Sequence, residues 1–183
     1  MKLDLSLWKN ASPRRKRIYS TIIIFVIAVL LTIIGSLVPL SAQDAKQISN
    51  GVNQTLTTNQ ANGTLPEYIF LNNFYICLLM FVPVIGPMLG FLILFDTGMA
   101  MGAIASVQGY SPLLGFALLV LTPVFWLEFT SYSIGITESI WLFRRLLQRR
   151  WRELKNTGIL IGICAILLVV GAIVETWLIS IGG

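Results

Sequence analysis

The chain has 183 residues; 56% of them are hydrophobic, only 11% are charged, and the formal net charge is +5. Soluble domains contain about 25% charged residues, and a domain of this length lacks the interior to bury so much apolar surface. The composition therefore excludes a soluble enzyme or a nucleic-acid-binding module, and it predicts an integral membrane protein.

Twelve of the 13 basic residues lie in two clusters that flank long apolar runs. Lysine and arginine next to membrane spans stay on the cytoplasmic side, so we place both clusters there. Membrane topology then explains the charge without nucleic acid. The first cluster is Lys2, Lys9, Arg14, Arg15, Lys16 and Arg17, and the second is Arg144, Arg145, Arg149, Arg150, Arg152 and Lys155.

Residues 1–17 are predicted to form a cytoplasmic basic tail, and residues 18–40 the first transmembrane anchor. A helix over this run, rising about 1.5 Å per residue, crosses a hydrocarbon core of roughly 30 Å. The run is longer than the apolar core of a signal peptide. We therefore expect a retained helix with its N-terminus inside.

Residues 41–66 are polar and rich in Asn, Gln and Thr. They predict an extracytoplasmic polar loop of about 25 residues, long enough to be functional or mobile. The loop contains two N-x-[ST] sequences, at Asn53 and Asn62, which are possible glycosylation sites.

The segment from residue 67 to 143 is nearly continuously apolar, and its two ends lie on opposite sides of the membrane. An odd number of crossings must connect them, and three fit the length: 67–83, 84–107 and 112–143. The last is roughly 48 Å long if straight, so we expect a break at Pro123, with 112–122 as a tilted or re-entrant half-helix.

Residues 144–156 are predicted to form a cytoplasmic basic helical extension, and residues 157–181 the final span. Residues 67–181 thus form one transmembrane bundle. The predicted fold class is all-α, a polytopic helical bundle of about five spans with its N-terminus inside and its C-terminus outside.

Three G-x-x-x-G pairs occur in the apolar runs. Small residues at this spacing let membrane helices approach closely. Each pair can pack within the bundle or contact another subunit, and the sequence leaves both alternatives open. The pairs are Gly86/Gly90, Gly98/Gly102 and Gly158/Gly162.

Ionisable residues inside a membrane are costly and are candidates for function. At about 100° per residue, Glu128, Ser131, Gly135 and Glu138 share one helix face. With polar residues of two earlier runs they predict a polar intramembrane cluster, either a proton or ion path or a structural hydrogen-bond network. Glu138 also lies near Arg144 and Arg145, which predicts an interfacial ion pair, and Glu175 lies near the outer end. The predicted cluster is Asn72, Asn73, Asp96, Glu128, Ser131 and Glu138.

The chain offers no complete catalytic set. It has no histidine, which excludes a histidine-ligated metal site and any Ser-His-Asp or Cys-His unit. It has neither a phosphate-binding loop nor a dinucleotide fingerprint. Cys77 and Cys164 lie in apolar runs and are predicted to be buried thiols. We therefore expect a protein that is not an enzyme by itself and that needs no cofactor.

Three stretches resemble the stage II sporulation protein M (SpoIIM) family of bacterial and archaeal membrane proteins: IFLNN at 69–73, DTGMAMG at 96–102 and LTPVFWLEF at 121–129. Asn72 and Asn73 resemble the family's Asn-Asn pair at the start of a helix, and the second stretch resembles its small-residue run, with Thr97-Gly98 in place of Asn-Gly. Pro123 and Glu128 match the ends of a Pro-His-Gly-x-x-Glu motif whose His and Gly are Val124 and Phe125 here.

The resemblance covers roughly residues 66–182 and implies an all-α membrane protein that acts through partners. Our first hypothesis is a non-catalytic scaffold or accessory subunit of a larger complex in the plasma membrane, with other integral membrane subunits and lipid as partners. A specific form is a subunit of an archaeal membrane enzyme such as ammonia monooxygenase. The alternative is a small transporter or channel subunit with Asp96, Glu128 and Glu138 along the path.

Overall fold

The computed structural model describes residues 11–149 and 154–182, and these residues contain helices and no strand. The all-α prediction is therefore confirmed. The start of the basic tail, part of the second basic segment and residue 183 lie outside the described residues. The helices are α1 (Pro13–Ser36), α2 (Ala42–Ala61), α3 (Leu65–Met80), α4 (Ile85–Gln108), α5 (Pro112–Val120), α6 (Pro123–Leu147) and α7 (Leu154–Gly182).

Proline begins helices here instead of interrupting them. Pro112 follows Ser111, whose hydroxyl accepts the backbone N–H of Leu114 at 3.2 Å. Pro123 follows Thr122, whose hydroxyl accepts the N–H of Phe125 in the same way. Proline lacks the N–H that the first helical position leaves unpaired, and the hydroxyl caps a donor of the first turn. Both prolines therefore define helix starts.

Three described helices and one bent helix pair are candidate membrane spans, which is roughly consistent with the five predicted crossings. By length and composition α1, α4 and α7 are each able to span a membrane, and α5 with α6 makes a further span bent by 88°. The bend confirms the predicted break at Pro123. The helix α3 is a shorter apolar helix of 16 residues that covers about 24 Å, and in the predicted topology it would be the remaining crossing.

The two described basic segments meet at one end of the bundle. Glu138, near the end of α6, forms ion pairs with Arg17 of α1 and with Arg145, and it accepts a hydrogen bond from Thr157 of α7. We call this the basic end, and the opposite end, where α2 lies, the loop end. The arrangement agrees with the predicted orientation, in which both basic segments share the cytoplasmic side.

The centre of the bundle is α6, which packs against α1, α3, α4, α5 and α7. Phe125, Phe129 and Ile136 are almost completely buried along it. Phe125 makes an edge contact with Phe25 of α1 and another with Phe116 of α5. Because α6 is enclosed by neighbours, its polar residues face protein, which is where the functional candidates must be sought.

The polar segment 41–66, predicted as a loop, contains the 20-residue helix α2. Ser41 caps it by accepting the N–H of Asp44 at 3.1 Å. Ala45 and Ser49, one turn apart, are buried where α2 packs against α4 and α3. Leu56 of the same helix packs against a small hydrophobic cluster formed by Leu65, Ile69 and Ala172, so α2 is held on the bundle although its average composition is polar. Asn53 on α2 is exposed, and so is Asn62, the residue that ends the helix.

Candidate functional site

Two of the predicted polar residues meet inside the loop-end half of the bundle. The Asn73 side-chain amide, on α3, donates a hydrogen bond to the carboxylate of Glu128, on α6. Asn72 in turn donates to the side-chain oxygen of Asn73 at 3.3 Å. Both Asn73 and Glu128 are half-buried. The Asn-Asn pair and the later Pro-x-x-x-x-Glu stretch are separate motifs in the sequence. In the structure they form one unit.

A cavity of about 360 Å³ opens beside this hydrogen bond. Glu175 of α7 lines it together with Glu128, and α2 covers it through Thr55 and its neighbours. The sequence placed Glu175 near the outer end of the last span but did not connect it with Glu128. The sequence did contain one clue to this pairing. Both residues lie in the turns of their helices that are nearest the loop end, and therefore at a similar depth in the bundle. We call Asn72, Asn73, Glu128 and Glu175 the loop-end site.

The loop-end site can exchange hydrogen bonds and bind positive charge. It presents amide donors beside two carboxylates in a cavity that is partly apolar, where electrostatic interactions are stronger than in water. The residues that line the cavity include the hydroxyl groups of Thr55 and Tyr68 but no cysteine, lysine or histidine. Within residues 11–149 and 154–182, no three His, Cys, Asp or Glu side chains come together as metal ligands.

Glu138 lies in a second polar centre, at the basic end. Its side chain is 2% exposed, and its oxygens lie 3.6 Å from Arg17 and 3.9 Å from Arg145. The Thr157 hydroxyl donates to it at 2.8 Å. The predicted pairing with the Arg144/Arg145 segment is therefore present through Arg145. The contributions of Arg17 and Thr157 were missed, because they depend on how α1 and α7 pack.

The single polar cluster predicted from the sequence is consequently divided. Glu128 and Glu138 share a face of α6, but ten residues separate them by about 15 Å along the helix. Ser131 lies between them, is buried, and donates to the carbonyl of Leu127 in its own helix at 2.8 Å. The thiols of Cys77 and Cys164 lie 3.7 Å and 3.6 Å from the Ser131 carbonyl oxygen. Both cysteines are buried free thiols, as predicted.

Asp96 does not join either centre, which corrects its placement in the predicted cluster. Its side chain is exposed on α4. The physical reason is the packing of the neighbouring glycine: Gly98 contacts α1 so closely that an added Cβ would meet the Thr32 carbonyl. Two residues along a helix are about 200° apart, so Asp96 is turned away from the bundle.

The three glycine pairs have different surroundings. A Cβ on Gly86 or Gly90 would meet Met80 and α6, and one on Gly98 or Gly102 would meet the backbone of α1. These two pairs therefore serve internal packing. The third pair differs, because a Cβ on Gly158 or Gly162 would have no atom within 4 Å among the described residues. This pair lies on an exposed face of α7.

Comparison with known proteins identifies a family. The family model described as stage II sporulation protein M matches residues 21–179, which extends the resemblance found from the motifs to α1 and α2. Neither the curated proteins nor the solved structures include a match to the chain. The match covers every helix that contributes to the loop-end site.

Proposed function

Since the chain belongs to the stage II sporulation protein M family and is a membrane protein, we propose that it is a non-catalytic scaffold or accessory subunit of a larger membrane complex. Its partners in this proposal are other integral membrane subunits. The proposal concerns the plasma membrane, where the two basic segments would face the cytoplasm. It assigns no reaction and no cofactor to this chain.

The observation that carries the proposal is the open glycine pair on α7. Gly86/Gly90 and Gly98/Gly102 are enclosed by their own chain, whereas Gly158 and Gly162 face outward. In lipid, helices associate largely through close packing at small residues. The exposed pair is continued one turn on by the half-buried Ala165. A groove of this kind suits a second transmembrane helix.

The proposal is tested by purifying the tagged full-length chain from native membranes in mild detergent and quantifying the subunits that accompany it. We expect stoichiometric partners with the unaltered chain. Gly158→Leu should release a partner while the isolated subunit keeps its melting temperature, because none of the described residues occupies that space. Gly98→Leu should instead lower the melting temperature. The proposal fails if the unaltered chain purifies alone.

A more specific form is an accessory subunit of an archaeal membrane enzyme such as ammonia monooxygenase. What supports this form is general: a small helical subunit without a catalytic set suits such a role. The matching experiment is co-purification with that enzyme's catalytic subunits. Their absence from a complex that contains other stoichiometric partners would exclude this form and leave the broader proposal intact.

The loop-end cavity favours a second candidate, a transporter or channel subunit. Glu128 and Glu175 line a cavity that α2 covers, as the entrance of a cation path would require. The remainder of such a path is closed, because Gly135 packs against Met80 and Phe81 between Glu128 and Glu138. Passage would therefore need a rearrangement of α3 against α6.

Reconstitution separates this candidate from the first. A transporter or channel subunit should dissipate a proton or cation gradient in liposomes, and Glu128→Gln should abolish the flux because it removes the charge and keeps the side-chain shape. Thr97→Val, on the exposed face of α4, serves as the control variant. Liposomes that hold their gradient with the unaltered protein exclude the transport function.

A further inference from the structure

Asp96 is a carboxylate on the outer surface of a membrane-spanning helix. It lies eleven residues after the start of α4 and twelve before its end, which places it about 16 Å or more from either terminus. Its neighbours fix the depth independently. The Thr32 hydroxyl donates to the carbonyl of Leu94 at 3.2 Å, and Gly98 packs on the Thr32 carbonyl. Thr32 belongs to the predicted first span, residues 18–40, so Asp96 lies at the level of that span.

The surface around Asp96 is apolar. Leu92 and Met88, one and two turns earlier on the same face, are 57% and 67% exposed. Thr97, also exposed, satisfies its hydroxyl by donating to the carbonyl of Ile93 at 2.8 Å. Asp96 is thus the one charged group on this described face of α4.

Two other carboxylates within the predicted spans have partners among the described residues. Glu128 accepts a hydrogen bond from Asn73, and Glu138 is paired with two arginines. Asp96 has no hydrogen bond or ion pair with any residue in the described ranges. A carboxylate in hydrocarbon is costly unless it is paired, and an aspartate side chain is too short to reach the head groups from this depth.

We propose that Asp96 docks a transmembrane helix of a different subunit, and that this helix carries a lysine or arginine that pairs with Asp96 inside the membrane. The inference rests on the proposed function and specifies the chemistry of one partner. The occupant is assigned by charge complementarity, since a cation at that depth would satisfy the carboxylate and be satisfied by it.

The described residues of a second copy of this chain do not supply the required cation. The described basic residues all lie at the ends of the bundle, either at the basic end or on α2. Two copies meeting through this face of α4 would bring together their Asp96 carboxylates, which repel each other. The basic-end residues are Arg14, Arg15, Lys16, Arg17, Arg144, Arg145, Arg149 and Lys155, and Lys46 lies on α2.

The test uses the native complex. A photoreactive amino acid replaces Leu92, which is exposed one turn before Asp96, so that the carboxylate is kept in the full-length chain, and the crosslinked peptide is mapped by mass spectrometry. We expect a transmembrane peptide of another subunit that contains a lysine or arginine. A crosslink to a second copy of the chain, to lipid alone, or to a helix without a basic residue overturns the proposal. The same probe at Ile173, exposed on α7, should give a different peptide.

Substitutions then test the charge. Asp96→Leu should reduce the co-purified partner about tenfold or more, whereas the matched control Thr97→Leu should change it less than about twofold. Replacing the mapped basic residue of the partner by leucine should give the same loss, and the double variant no further loss. If the unaltered chain holds its partner and Asp96→Leu holds it equally well, this inference fails and the proposed function stands.

The melting temperature of the isolated subunit excludes a purely structural role. Asp96→Leu should leave it unchanged or raise it, because the carboxylate has no described partner in its own chain. If Asp96→Leu lowers it, Asp96 stabilises its own bundle and the inference is overturned. If the unaltered chain has no stoichiometric partner at all, the proposed function fails first.

Discussion

Asn73 and Glu128, which are 55 residues apart in the chain, are joined by a hydrogen bond between α3 and α6. Each residue belongs to a different motif of the family resemblance. The bond therefore links the two motifs physically. An amide and a carboxylate that satisfy each other can be placed within the membrane-spanning part of the bundle. The bond also fixes the register of α3, the shortest apolar helix, against the central helix.

The first prediction concerns this bond. Asn73→Ala should lower the free energy of unfolding by about 1 kcal/mol, the size typical of a side-chain hydrogen bond between membrane helices. Glu128→Gln should cost less than Asn73→Ala, because the new side-chain carbonyl still accepts from Asn73. Unfolding of the detergent-solubilised protein followed by circular dichroism measures both. Asn53→Ala, at an exposed position on α2, is the control, and an equal loss for it would contradict the prediction.

The second prediction compares two glycines of the same motif type. Gly98→Ala should destabilise the protein by about 2 kcal/mol, since its Cβ would press on the Thr32 carbonyl and force α1 and α4 apart. Gly162→Ala should be neutral or slightly stabilising, because the position is open and alanine favours the helix. Thermal melts of the isolated subunit decide between the two. Similar losses for both variants would show that the α7 face is enclosed.

The third prediction addresses the basic end. Glu138→Ala should cost about 3 kcal/mol, because it leaves the arginines beside it without the carboxylate that they share in a buried site. Glu67→Ala, which removes an exposed carboxylate from the first turn of α3, should cost about 0.5 kcal/mol or less. Denaturant unfolding of the two variants side by side provides the measurement. Equal losses would mean that the cluster at Glu138 contributes no specific stability.

The fourth prediction concerns orientation in the membrane. A cysteine introduced at exposed Asn53 on α2 should react with an impermeant maleimide added to intact cells. A cysteine at Arg149, beyond the end of α6, should react only after the membrane is permeabilised, and one at residue 183 should behave like the one at Asn53. Cys77 and Cys164 are buried and serve as the background. Labelling of residue 183 from the cytoplasmic side alone would overturn the predicted topology.

Much of the architecture was determined by the sequence alone. The apolar runs and basic clusters predicted five crossings, and the excess length of the fourth predicted the bend at Pro123. These features are local, because a span depends on hydropathy over about 20 residues and a proline acts on its own helix turn. The pairing of Glu138 with the following arginine segment was accessible for the same reason.

The tertiary structure decided what depends on rotation and depth of whole helices. It placed Glu175 and Glu128 along the same cavity. It packed Gly98 against α1, which turns Asp96 outward. It enclosed two glycine pairs between helices and left Gly158 and Gly162 exposed. It also folded the polar segment after the first span into α2, whose Ala45, Ser49 and Leu56 pack against the bundle. The same G-x-x-x-G pattern is enclosed in two places and exposed in a third, because different helices surround it. Which face a helix turns to its neighbours is set by contacts between residues far apart in the chain.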